Sequence, residues 1–130
     1  MRIILVLLVI SCAGYSAENY YGKYMISSIS NYDETGKKIG KLKANGKNIE
    51  HFFLIISNEN INISYAKDRT VVMPYILVDD AEGKVIKILV KDEIMDSDCI
   101  LELDGEKLVM SIKYLSNGKS DVIDAIKVIE

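Results

Sequence analysis

Three features of this 130-residue chain predict an all-β fold, an antiparallel meander of about eight strands closing into a small barrel behind an N-terminal signal peptide. Apolar and polar residues alternate with a period of two, as where Ile61, Ile63 and Tyr65 interleave with Asn60, Asn62 and Ser64, giving a strand one dry face and one wet face. Asp104-Gly105 and Asn117-Gly118 fall between apolar runs, and both dipeptides accept the positive φ of a tight hairpin turn. The runs recur about every ten to twelve residues, a rhythm of sandwiches and barrels rather than of alternating helix and strand.

The chain begins with Met1 and Arg2, continues through an unbroken apolar run over residues 3–10, and then has small residues at Ser11, Cys12, Ala13 and Gly14. One positive charge, a short apolar core and a small-residue exit form the layout of a secretory signal. A membrane-spanning helix needs about 20 apolar residues, so the run is too short to cross a bilayer. Residues 1–17 are therefore read as the signal peptide and 18–130 as one domain. Val9-Ile10-Ser11-Cys12 resembles the lipobox of bacterial lipoproteins, which implies cleavage before Cys12 and acylation of that cysteine. A cell-envelope protein, held to a membrane face toward the periplasm or the exterior by several acyl chains, is the expectation that follows. The alternative cut, after Ala17, implies a secreted protein.

The eight candidate strands are residues 20–30, 48–56, 60–65, 70–78, 84–91, 99–103, 107–115 and 121–129. The last three are expected to form a consecutive meander through the two Gly-containing turns. Pro74, the sole proline, cannot donate a ladder hydrogen bond and marks an edge, a bulge or an end of pairing. Residues 121–129 also fit an amphipathic helix through Val122, Ala125, Ile126 and Ile129, but β-branched residues dominate them and favour a strand. Residues 33–47 read as a long polar loop, with Gly36, Gly40 and Gly46 and the lysines Lys37, Lys38, Lys41, Lys43 and Lys47.

Composition narrows the function classes. The formal charge is -3, and loss of Arg2 makes the exported chain more negative, so nucleic acid is not an expected partner. With Cys12 acylated or removed, Cys99 has no partner for a disulfide and reads as a small apolar filler on a buried strand. His51 is the only histidine, and no Gly-x-Ser-x-Gly nucleophile elbow accompanies it, so no enzyme activity is expected. Carboxylates gather at Asp79, Asp80 and Glu82 and at Asp92, Glu93, Asp96 and Asp98, without the spacing of the twelve-residue calcium loop, and read as solvated hairpin tips. No metal or cofactor is expected. Asn62-Ile63-Ser64 matches a glycosylation acceptor, read as accidental in a bacterial lipoprotein.

Gly22-Lys23-Tyr24 at the start of the first strand resembles the Gly-x-Trp signature of lipocalins, with Tyr24 in place of the Trp that closes the barrel floor. The long segment after strand one, the hairpin meander and the stretch from Leu103 through Asp104, Gly105, Glu106, Lys107, Leu108 and Val109 to Met110 are similar to small bacterial lipocalin-like (calycin-type) lipoprotein domains. The resemblance implies a cup that binds a small hydrophobic molecule, with its mouth beside residues 37–47. By alternation, the inward candidates that would line it are Tyr24, Ile26, Phe53, Ile55, Ile63, Tyr65, Ile86, Ile88, Leu101, Met110, Ile112 and Tyr114. An eight-stranded barrel is just wide enough to be filled by side chains or to hold one small molecule. These lining residues are mostly large, so an open cavity and a closed core both remain expectations. With a closed core, the protein would instead be an envelope scaffold or inhibitor that meets a protein partner through its surface or loops.

Overall fold

The computed structural model describes residues 20–81, 85–90 and 97–129, without the side chains of residues 79–81 and 85–87. The segment expected to be a signal peptide, with Cys12, the acidic residues Glu82, Asp92, Glu93 and Asp96, and the side chain of Ile86 therefore lie outside the described residues. The strands are β1 (Gly22–Tyr32), β2 (Lys38–Lys43), β3 (Phe53–Ile56), β4 (Asn60–Ala66), β5 (Arg69–Ala81), β6 (Val85–Val90), β7 (Ser97–Asp104), β8 (Lys107–Tyr114) and β9 (Ser120–Lys127). Strands β3 to β9 pair antiparallel in sequence order, β1 joins β3, and β9 returns to β1, which closes an eight-stranded barrel with β2 as an extra strand. Residues 120–127 are a strand, as their β-branched content favours, and no α-helix occurs among the described residues.

The extra strand lies within the segment expected to be a loop, and its position explains the shape of the barrel. One edge of β1 pairs with β9 from Tyr24 to Tyr32. Its other edge is shared, since β3 takes Gly22 to Met25 and β2 takes Ser28 to Tyr32. β2 and β3 run in the same direction along this edge, so together they are one barrel strand interrupted by residues 44–52. Hydrogen bonds bracket the interruption: Ala44 N–H donates to the Ser27 carbonyl (2.9 Å) and Ile26 N–H to that of Phe52 (3.0 Å). Within it, the Asn45 side chain accepts from Lys47 N–H and the Asn48 side chain from Asn45 N–H, both at 2.8 Å, so the polar backbone of the detour is satisfied locally. A 3₁₀ turn over Ile49–His51 completes the detour, and His51 therefore ends a turn instead of sitting in a strand.

The detour corrects the expected phase of β3. Phe52, Leu54 and Ile56 are buried, whereas Phe53 is half-buried and Ile55 is 36% exposed, so Phe53 and Ile55 do not face the interior. Five apolar residues in a row, Phe52 to Ile56, leave no alternation from which to choose a face, and the approach from the 3₁₀ turn decides it. Elsewhere the alternation holds: Tyr24, Ile26, Ile63, Ile88, Leu101, Met110 and Ile112 are buried and Tyr65 and Tyr114 half-buried.

Turn chemistry sets the remaining joints. β7 and β8 meet through the two-residue loop Gly105–Glu106, with Asp104 opposite Lys107. Gly105 takes φ +62° at the first loop position, where a type II′ hairpin favours glycine. Pro74 is the last β5 residue opposite β4, facing Asn60, and Tyr75 is the first opposite β6, facing Val90. The proline thus stands where β5 changes partners, at an end of pairing.

The end of the barrel that holds the start of β1 is packed solid. Tyr20, Tyr24, Phe52, Leu54, Ile61 and Leu101 have no exposed surface, and Leu108, Met110, Ile123 and Ala125 close around them. The Tyr24 hydroxyl donates to the Tyr20 carbonyl at 2.8 Å, so its polar end is paired inside the apolar floor. Burial, and secondarily Tyr20, push the Tyr24 phenol up to about 12.

Tyr24→Ala is expected to cost about 3–5 kcal/mol of unfolding free energy, as for other buried aromatics, and Tyr24→Phe about 1 kcal/mol for the lost hydrogen bond. Because the folded phenol is held above its ordinary value of 10, the stability it contributes is complete below pH 10 and falls as pH rises toward 12. Urea titrations across that window should show a shallower alkaline loss for Tyr24→Phe than for the unaltered protein.

Candidate functional site

The opposite end of the barrel is open. β2 pairs with β1 but not with β4, so the wall that β3 completes below is missing above. In that half lies a cavity of about 370 Å³, lined by Ile29, Asn31, Leu42, Ile63, Tyr65, Val71, Met73, Ile112, Tyr114, Asp121 and Ile123. This is at the small end of the range for ligand pockets, about 300–1,000 Å³. The barrel thus has buried apolar residues at the floor and a hollow at the mouth.

The lining is set by a bulge. Ile26 pairs with Ala125 but Ser28 pairs with Asp124, so Ser27 is an extra residue in β1. It reverses the alternation beyond it, and Ile29 and Asn31 turn into the barrel while Ser28 donates on the other face to the Asp124 carboxylate (3.3 Å). On β2, Leu42 lies opposite Ile29 and faces the cavity. Lys41 and Lys43, opposite Ser30 and Ser28, fall on the outer face and are exposed. Lys41 and Lys43 therefore decorate the outside of the mouth and do not line it.

One polar group interrupts the apolar wall. Asn31 is the next to last residue of β1, Tyr114 ends β8 and Asp121 is the second residue of β9, and Asn31 pairs directly with Asp121 in the β1–β9 ladder. Asn31 Nδ2 donates to Asp121 Oδ1 at 2.7 Å, and the Tyr114 hydroxyl donates to Asp121 Oδ2 at 2.6 Å. Burial, then the hydrogen bond and charge of Asp121, raise Tyr114 far above the usual tyrosine range, so its hydroxyl stays protonated and remains a donor. A Cβ at Gly40 would come within 3.2 Å of Asn31 Oδ1, so glycine lets β2 lie close over this amide. The same three residues also line a neighbouring, shallower depression of about 400 Å³ that takes in Tyr32, Ile39, Gly40, Asn117 and Lys119.

Of the residues expected to bind ligand, Ile63, Tyr65, Ile112 and Tyr114 line the cavity. Tyr24, Ile26, Ile88, Leu101 and Met110 belong to the packed core, and Phe53 and Ile55 face away from the interior. Ile29, Leu42, Val71, Met73 and Ile123, with Asn31 and Asp121, line the cavity without having been expected to. Val71 and Met73 could have been found from the β4 pattern, since they lie opposite Ile63 and Ile61. Asn31 carried no such signal, because it falls just beyond the expected first strand, whereas Asp121 opens the expected last strand in phase with Ile123 and could have been found from it. Cys99 is buried, and desolvation holds its thiol up at about 12, so it is a protonated filler of the core. Among the described residues, no three of His, Cys, Asp and Glu gather as a metal site would require.

Tyr114→Phe and Asn31→Ala are each expected to cost about 1–2 kcal/mol, since each leaves a partly buried carboxylate oxygen with one donor fewer. In combination with Asp121→Ala the losses should fall short of their sum by about 1 kcal/mol, because the three side chains act as one unit. Strict additivity in urea unfolding would contradict the network. No family model, curated protein or solved structure matches the chain.

Proposed function

We propose that this protein is an exported, lipid-anchored, lipocalin-like carrier that holds a small hydrophobic molecule in the mouth of its barrel without transforming it. The observation that carries the reading is the apolar cavity of about 370 Å³ in the unclosed half of the barrel. A hollow lined by Ile29, Leu42, Ile63, Met73, Ile112 and Ile123 forgoes packing contacts that the lower half makes in full. Such a loss is typical of a site kept for a ligand, because stability is commonly given up where function needs space. The rigid floor beneath and the gap beside β2 would provide support and access. Lipocalin-like kinship is part of the same proposal, supported by the barrel closure and by Tyr24 at the closed end. Cys12 would be the acylated anchor.

A second reading, a scaffold that recognises a protein, draws on the outer face of β5. There Val72, Ile76 and Val78 are 58%, 52% and 62% exposed, with Pro74 exposed between them, an apolar stripe where a strand normally presents polar residues to water. A specific envelope partner would be retained by the unaltered protein and lost with Ile76→Lys, while cavity binding persisted.

For the carrier reading, N-phenyl-1-naphthylamine, a neutral apolar fluorophore, should bind the purified protein saturably at one site. Val71→Phe should weaken that binding about tenfold or more by filling the mouth, at little cost in stability because Val71 is already 40% exposed. No saturable binding by the unaltered protein would overturn the carrier reading.

A further inference from the structure

The acceptor and donor balance inside the mouth selects a head group for the cargo. Ionised Asp121 offers about four acceptor positions on its two oxygens, and the protein occupies one on each, through Asn31 and Tyr114. The Tyr114 hydroxyl proton and one of the two Asn31 Nδ2 protons are thereby engaged on the carboxylate. Tyr65 is half-buried in the lining, and its hydroxyl donates and accepts equally, so it does not discriminate between heads. Lys119, which lines the neighbouring depression, is exposed and is not part of the cavity lining, and Lys41 and Lys43 fall on the outer face of β2. An anionic head at the mouth would meet a like charge beside apolar walls, where water screens poorly. A head rich in N–H or O–H donors would meet the unused acceptor positions.

We infer that the cavity takes an amphiphile whose apolar tail lies among Ile63, Met73, Ile112 and Ile123 and whose head is a primary ammonium or another neutral or cationic hydrogen-bond donor held by Asp121, and that it discriminates against carboxylates. This rests on the carrier reading and narrows it to a ligand class. Asp121 is then the specificity-determining residue, while Asn31 and Tyr114 fix the carboxylate in place. No bond is made or broken on binding.

The test is displacement of N-phenyl-1-naphthylamine by three ligands of equal tail length, decan-1-amine, decan-1-ol and decanoate, at neutral pH below their aggregation limits. The amine should bind the unaltered protein about tenfold or more tighter than decanoate, the difference that one charge-assisted hydrogen bond supplies, with the alcohol between them. Asp121→Asn should bring the amine down to the alcohol and improve decanoate. Decanoate equal to or tighter than the amine on the unaltered protein would overturn the head-group assignment while leaving the carrier reading intact, and this comparison needs no variant. The head-group assignment also falls if Asp121→Asn folds, binds the fluorophore and keeps the original ranking. Failure of the fluorophore itself to bind would remove the carrier reading, and the assignment with it.

Discussion

β1 serves two partners along one edge, and the rest of the molecule follows from how that edge is divided. β3 occupies Gly22 to Met25 and continues the sheet into β4, so the lower wall is continuous. β2 occupies Ser28 to Tyr32 and leads to no further strand, so the upper wall ends there. A strand interrupted by nine residues cannot pair with β4 along its whole length. The barrel is therefore closed by hydrogen bonds at the floor and left open at the mouth.

Packing follows the same division. Where the ring of strands is complete, inward side chains from all sides meet, and Tyr20, Tyr24, Leu54, Ile61 and Leu101 lose all contact with water. Each Å² of apolar surface removed from water in this way stabilises the fold by about 25 cal/mol. Where the ring is incomplete, equally apolar side chains such as Ile29 and Val71 face a hollow. Asp121 can remain in that hollow because Asn31 and Tyr114 meet both its oxygens, whereas a bare carboxylate among these side chains would be costly.

Much of this architecture could be read from the sequence, and the failures have physical causes. Apolar runs divided by turn residues located every strand of the closed barrel, and the β-branched run at the C-terminus correctly argued for a strand over a helix. Pro74 correctly announced an end of pairing. β2 was missed because lysine and glycine dominate it and only one of its edges is paired, so it carries neither strand propensity nor a buried-face pattern. Phe53 and Ile55 were placed inward because an unbroken apolar run has no phase of its own. Asn31 was hidden by the bulge at Ser27, a single inserted residue that turns the end of β1 over without leaving a mark in its composition.

Hydrogen exchange of the individual backbone amides tests the divided edge of β1 most directly, because it reports which strand edges are bonded. An interrupted second strand predicts alternating behaviour along Lys38–Lys43, slow where an amide points to β1 and close to open-chain rates where it points toward β4. The amides of Phe53–Ile56 should be slow on both edges. Uniform protection of β2 comparable to that of β3 would mean that the upper wall is sealed, and the hollow at the mouth would lose its structural basis.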